Sequence, residues 1–183
     1  MHASDQPYAD LTPEHALDIL EALGLRVDGR LLQLNSYENR VFQVGLDDDS
    51  LVVAKFYRPG RWRDEQILEE HRFALDLAAA EVPAVPPMPL HIPQPLWREV
   101  SPAPQLMGKP PTLGLAGGHR VAVSPRRGGR APELEDPDVL RWIGRLLARL
   151  HQVGDRQRFA HRPRLDVAQH GRAARKFLAD SDL

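Results

Sequence analysis

Lys55 stands inside an apolar run, with Leu51 to Ala54 before it and Phe56 and Tyr57 after it. An ammonium in a strand of this kind is costly to bury without a counter-charge. Either Lys55 faces solvent on an edge strand, or it reaches into a site that needs a positive charge. The next apolar-periodic segment supplies candidate partners in Glu65, Glu69 and Glu70. Glu69 and Glu70 fall at its middle, and neighbours on a helix point about 100° apart, so only one of them can face the strand. Upstream of the lysine, Asn35 to Arg40 reads NSYENR, a short stretch rich in hydrogen-bonding side chains.

These groups need elements to hold them. Thr12-Pro13-Glu14 opens a helix with an N-cap hydroxyl, proline at the first position and an acid in the first turn, and Gly24 stops it. Leu32 and Leu34 alternate with polar residues, Val41 to Val44 is β-branched and aromatic, and Gly45 to Ser50 reads as a turn before Leu51 to Tyr57. This predicts strand, loop, strand, hairpin turn, strand. Residues 64–80 predict a helix, capped by Asp64 and ended by Val82-Pro83, with Ile67, Leu68, His71, Ala74, Leu75 and Ala78 at helical spacing.

Ten of the seventeen prolines lie in 83–111, which predicts a loop-rich extended insertion with a short edge strand near Leu96. Residues 119–125 predict another strand, and RRGGR at 126–130 a connector and domain seam. The first unit is therefore 1–125 and the second 126–183. In the latter, Val139, Ile143, Leu146 and Leu150 predict the buried face of a helix from Asp136-Pro137 to Gly154, and a last helix spans about 166–179.

Composition narrows the function classes. The 183 residues carry a net charge of −1, which gives no whole-molecule attraction to nucleic acid or an anionic membrane. The absence of cysteine excludes disulfides, thiolate catalysis and cysteine zinc sites. No apolar run is long enough to span a bilayer, and MHASDQPYAD lacks the pattern of a secretory signal, so a cytoplasmic location is expected.

Asp47-Asp48-Asp49 lacks the spacing of a calcium loop and reads as a charged turn. His71, His151, His161 and His170 show no metal spacing, and His71 and His151 read as core-edge or interhelical residues. Arg156, Arg158, His161, Arg162 and Arg164 read as a solvated surface, and Trp62, Trp97 and Trp142 as packing residues.

The order strand, loop, strand, turn, lysine strand, helix, strand resembles the amino-terminal lobe of a kinase. More specifically, LNSYENRVFQV, KFYRPGRW, DEQILEEHRFAL, EVPAVPP, SPRRGGR, GRLLARLHQVG and FAHRPRL resemble, in order, blocks of the bacterial stress response kinase A family. Members of that family are kinase-like in fold, related to aminoglycoside and choline phosphotransferases, and phosphorylate protein serine and threonine.

The resemblance implies an α+β fold with a five-stranded antiparallel sheet and one main helix, followed by the opening helices of a helical lobe. It implies ATP as ligand, Mg²⁺ as the family's metal and a protein substrate. NSYENR then replaces the glycine-rich loop, with Ser36 nearest the phosphates and Tyr37, Glu38, Asn39 and Arg40 around it. Lys55 becomes the phosphate lysine, Glu70 rather than Glu69 its partner, and Val121–Ser124 the hinge, where Val121 and Val123 meet adenine through backbone groups.

The family's H-G-D-x-H-x-G-N segment and its later magnesium aspartate do not occur in the 183 residues. HRPRLD at 161–166 has the wrong spacing for that segment and reads as the entry to the last helix. No catalytic base and no metal ligand is assigned. The chain is expected to be the front part of a kinase, binding nucleotide without transferring phosphate by itself. Two alternatives are a non-catalytic module that docks a partner through 83–111 and a fragment of a small-molecule phosphotransferase. Apolar faces on the helices at 138–152 and 166–179 predict self-association.

Overall fold

The computed structural model describes residues 7–92 and 103–181. Its centre is an antiparallel six-stranded sheet in the order β1-β2-β3-β6-β5-β4. The strands are β1 (Val27–Leu34), β2 (Arg40–Leu46), β3 (Leu51–Phe56), β4 (Gln105–Met107), β5 (Leu113–Ala116) and β6 (His119–Pro125).

Five strands were expected and six are present. Four of the six match expected strands; the other two, β4 and β5, are short and come from the end of the proline-rich segment and just beyond it, where only three and four residues pair. The strand expected near Leu96, and Trp97 beside it, lie outside the described residues.

Helix α1 (Pro13–Ala22) covers one face of the sheet. Thr12 Oγ1 accepts the His15 N–H at 3.2 Å, and Ala16, Ile19, Leu20 and Ala22 are buried. They pack with Phe42, Val44, Val52, Ala54, Phe56, Val121 and Val123 into the main core. Gly24 follows at φ +91°, a conformation glycine adopts without steric cost.

The strict alternation of β3 decides where Lys55 points. Val52, Ala54 and Phe56 enter the main core, so Leu51, Val53 and Lys55 take the opposite face. That face is covered by α2 (Asp64–Ala79). Asp64 is not the cap but the first helical residue, where it pairs with Arg120 of β6. Arg63 takes the cap position, and its backbone N–H donates to Gln66 Oε1 at 3.0 Å.

The proline-rich chain after α2 lies along the sheet. The Met88 N–H donates to the Val123 carbonyl and the Leu90 N–H to the Pro111 carbonyl, both at 2.7 Å.

Helix α3 (Pro137–Gly154) returns to α2. Val153 packs with Leu77 and Val82, and Arg149 donates to the Ala80 and Glu81 carbonyls at 2.9 and 2.8 Å. Its predicted buried face is only half-buried: Val139, Ile143, Leu146 and Leu150 keep partial exposure. Trp142 is 54% exposed, so it is not a packing residue here, and His151 is exposed rather than interhelical. The last helical stretch is a π-helical turn (Ala168–Arg172) leading into α4 (Ala173–Ala179). Among the described residues no helix is long and apolar enough to cross a membrane.

Candidate active site

Lys55 Nζ lies 2.9 Å from Glu70 Oε1, bridging β3 and α2. Glu69 and Glu70 divide as two adjacent helical residues must. Glu70 is 38% exposed and faces the lysine, whereas Glu69 is buried and turns away from it.

Lys55 also stands 4.4 Å from the centre of the Tyr57 ring, a favourable place for a cation. Burial pushes the Lys55 ammonium below its ordinary range, the Arg162 guanidinium adds to this, and Glu38 opposes it. Beside the pair opens a cavity of about 220 Å³. Val41, Val53, Ala122, Val85 and Pro87 give it apolar walls, and Ser124 lies at its lining.

Loop 35–39 is shaped by its own side chains. Ser36 Oγ donates to the Asn39 carbonyl, closing a turn without glycine. Asn39 Oδ1 accepts the Arg58 N–H at 3.2 Å. Glu38 Oε1 accepts the Trp62 indole N–H at 2.8 Å, and Arg61 lies 3.2 Å from its other oxygen. Burial alone would raise the Glu38 carboxyl, but these donors outweigh it and hold the group below the usual carboxylate range.

The Tyr8 hydroxyl is within 3.2 Å of both the Glu38 and Phe56 carbonyls, and so ties the loop to the end of β3. Arg40 turns to the Tyr8 ring, 5.2 Å from its centre, and Tyr37 is fully exposed. Of the five loop residues singled out in the sequence, Ser36, Glu38 and Asn39 build the loop and its ties, whereas Tyr37 and Arg40 point elsewhere.

The expected hinge strand is β6, and its two faces divide. Val121 and Val123 are fully buried with their side chains in the main core, and the Val123 carbonyl is taken by the Met88 N–H. Ala122 and Ser124, on the alternate face of β6, line the cavity instead.

Arg162, expected on a solvated surface, folds back onto α2. Its Nη2 donates to Glu70 Oε2 and its Nε to the Gln66 carbonyl at 3.0 Å, and its guanidinium carbon lies 4.4 Å from the centre of the Trp62 indole.

The backbone N–H groups of Ala160, His161 and Arg162 all donate to the Glu69 carboxylate. Burial would raise that carboxyl, and the three donors together bring it below the ordinary range. The available signal was the adjacent acid pair itself: with Glu70 given to Lys55, a second acid on a packed helix needs donors of its own.

Lysine on the third strand, glutamate on the next helix, and a polar loop beside an apolar cavity on an antiparallel sheet define a kinase-like site. The chain belongs to the phosphotransferase enzyme family, whose sequence pattern matches residues 30–182. It is 39% identical over all 183 residues to stress response kinase A of Escherichia coli K12 and covers 50% of that relative. It is 38% identical over 176 residues, or 96% of this chain, to serine/threonine protein kinase RdoA of Salmonella typhimurium LT2 and covers 48% of that protein. The chain thus spans about half the length of the curated relatives it matches.

Among solved structures, amicoumacin kinase hAmiN in complex with AMP-PNP, Ca²⁺ and Ami shares the fold. The TM-score is 0.62 and the identity 14%, with 90% of this chain and 47% of the other covered.

Proposed function

We propose that this chain is the nucleotide-binding part of an ATP-dependent serine/threonine protein kinase of the stress response type, acting in the cytoplasm. The observation that carries the reading is the Lys55–Glu70 pair at 2.9 Å beside the cavity. In this reading Lys55 takes the α- and β-phosphates, and Glu70 fixes the ammonium. The loop closed by Ser36 lies over the phosphates, and Val41, Val53 and Ala122 receive the flat base. Protein hydroxyls as the acceptor are supported by the name of the Salmonella relative.

A resident magnesium ion does not fit the described residues around the pair. Glu38 is committed to Trp62 and Arg61, and Glu70 to Lys55 and Arg162. Divalent metal would enter here with the nucleotide, and no step is assigned to it.

The fold shared with amicoumacin kinase supports a second reading, a small-molecule phosphotransferase with the same nucleotide site. A docking module that binds no nucleotide is the contrasting class.

Calorimetric titration with MgATP separates the nucleotide readings from the module. The intact chain should bind, and Lys55→Ala should weaken binding by about tenfold or more, since a charge-assisted phosphate contact is lost. A folded chain that takes up no nucleotide at millimolar concentration would end both kinase readings.

A further inference from the structure

Glu70 has two cations, one on each oxygen: Lys55 on Oε1 and Arg162 on Oε2. A carboxylate that anchors only a lysine leaves that lysine free to swing about one oxygen. Held from both sides, it has one orientation. Arg162 is itself fixed by three further contacts. Its Nε donates to the Gln66 carbonyl, its guanidinium carbon lies over the Trp62 ring, and its backbone N–H donates to Glu69 at 2.8 Å. Trp62 in turn donates to Glu38 of loop 35–39. A continuous path therefore runs Glu38, Trp62, Arg162, Glu70, Lys55. It joins the loop, the start of α2 and the lysine strand through one residue that comes from beyond α3.

We propose that Arg162 is a positioning residue for the nucleotide site, setting the orientation of Glu70 and through it the Lys55 ammonium, so that seating of segment 160–162 on α2 is coupled to nucleotide affinity. This rests on the nucleotide-binding reading of the same site.

The chemistry favours arginine specifically. A guanidinium can stack on indole with its face while its edge donates to both a carboxylate and a carbonyl. A lysine ammonium has three donors but no planar face, so it cannot stack flat on the indole while directing in-plane donors at both oxygens. The coupling needs no contact between Arg162 and the nucleotide. Its effect is preorganisation, reducing what binding must spend on ordering Glu70 and Lys55.

The test compares the intact chain with Arg162→Gln and Arg162→Lys. MgATP affinity is measured by calorimetry, and the titration of Lys55 by competitive acetylation and mass spectrometry across pH. The chain has three lysines, Lys55, Lys109 and Lys176, so the modified peptides are distinguishable. The groups facing the Lys55 ammonium are Glu70, Arg162, Glu38, His71 and the Tyr57 ring. Removing the Arg162 charge should raise the pH at which Lys55 becomes reactive, while Lys109 and Lys176 stay unchanged. A residue that only stabilised the fold would not move Lys55 selectively.

MgATP affinity should fall about tenfold in Arg162→Gln and by less in Arg162→Lys, which keeps the charge but not the fork. If Arg162→Gln does not fold, Arg162→Lys carries the test, with about a threefold loss expected. A folded Arg162→Gln variant with unaltered MgATP affinity overturns the inference, whatever its Lys55 titration. If the intact chain binds no MgATP, the nucleotide reading fails, and the Lys55 titration still reports whether Arg162 positions the pair.

Discussion

The backbone N–H of Arg162 donates to Glu69 Oε2 at 2.8 Å, joining groups 93 residues apart in sequence. With the N–H groups of Ala160 and His161 it makes Glu69 the receptor for a whole turn of backbone. Glu69→Ala removes the acceptor and leaves three donors to find water. Hydrogen bonds to a charged group are worth about 1.5–3 kcal/mol each, and water recovers part of that, so a loss of about 3 kcal/mol is expected. Glu69→Gln keeps one acceptor oxygen and should lose less. Urea unfolding of the two variants checks the order, and equal midpoints for both and the intact chain would refute it.

Much of this site was legible in the sequence, for reasons that can be named. Period-two alternation from Val52 to Phe56 puts Lys55 on the face opposite the core, and the helical step separates Glu69 from Glu70. Both are local rules.

The strands β4 and β5 were not legible because three- and four-residue strands among prolines show no period. Nor was Arg162. Its place is set by backbone N–H groups meeting a side chain on a distant helix, and backbone donors leave no mark in residue type. The resemblance places Val121 and Val123 at the hinge through backbone groups, which leaves open where their side chains point. Which face of β6 meets the cavity is settled only by what packs on the other side, namely α1.

Helices α3 and α4 leave apolar side chains uncovered. Leu140, Trp142 and Leu147 on α3, and Phe177 and Leu178 on α4, are half or more exposed. Leu140 and Leu147 are seven residues apart and flank the half-buried Ile143 on one face. Apolar stripes of this kind drive association in water. Multi-angle light scattering should show mass rising with concentration, and Leu147→Glu should reduce that rise. A monodisperse monomer over the whole concentration range would contradict the expectation.

The hairpin between β5 and β6 turns through Gly117 at φ +53° and Gly118 at φ +79°. A Cβ on Gly117 would meet His15 Nε2 at 2.8 Å and Ile19 Cγ1 at 2.9 Å, while one on Gly118 meets nothing within 4 Å. Gly118→Ala should therefore cost only the left-handed backbone term, about 1 kcal/mol. Gly117→Ala adds displacement of α1 and should cost about 2–4 kcal/mol. Thermal unfolding of both variants separates the conformational from the packing cost, and equal losses would mean α1 gives way freely.

His71 sets a pH limit on stability. It is buried on α2, with its Nε2 2.8 Å from the Tyr57 hydroxyl and its Nδ1 2.9 Å from Thr112 Oγ1. Two hydroxyls can each donate or accept, so a neutral ring is fully satisfied, whereas an imidazolium would be buried near Lys55. Burial first, and the Lys55 charge second, push His71 down to about 4.

The unfolded chain takes up the histidine proton near 6.5, before the folded chain does, so it binds more protons in between. Stability is then complete above about pH 6.5 and declines as pH falls toward about 4, by on the order of 3 kcal/mol in total. Glu69, Glu38 and Asp10, whose carboxyls are held low, add their own loss only below about pH 4.5, where unfolded carboxylates protonate. The window from about 4.5 to 6.5 therefore isolates His71 from these carboxylates. Urea midpoints at steps across that window should fall with pH in the intact chain and flatten in His71→Asn. A flat profile in the intact chain would show that His71 is not held neutral by its burial.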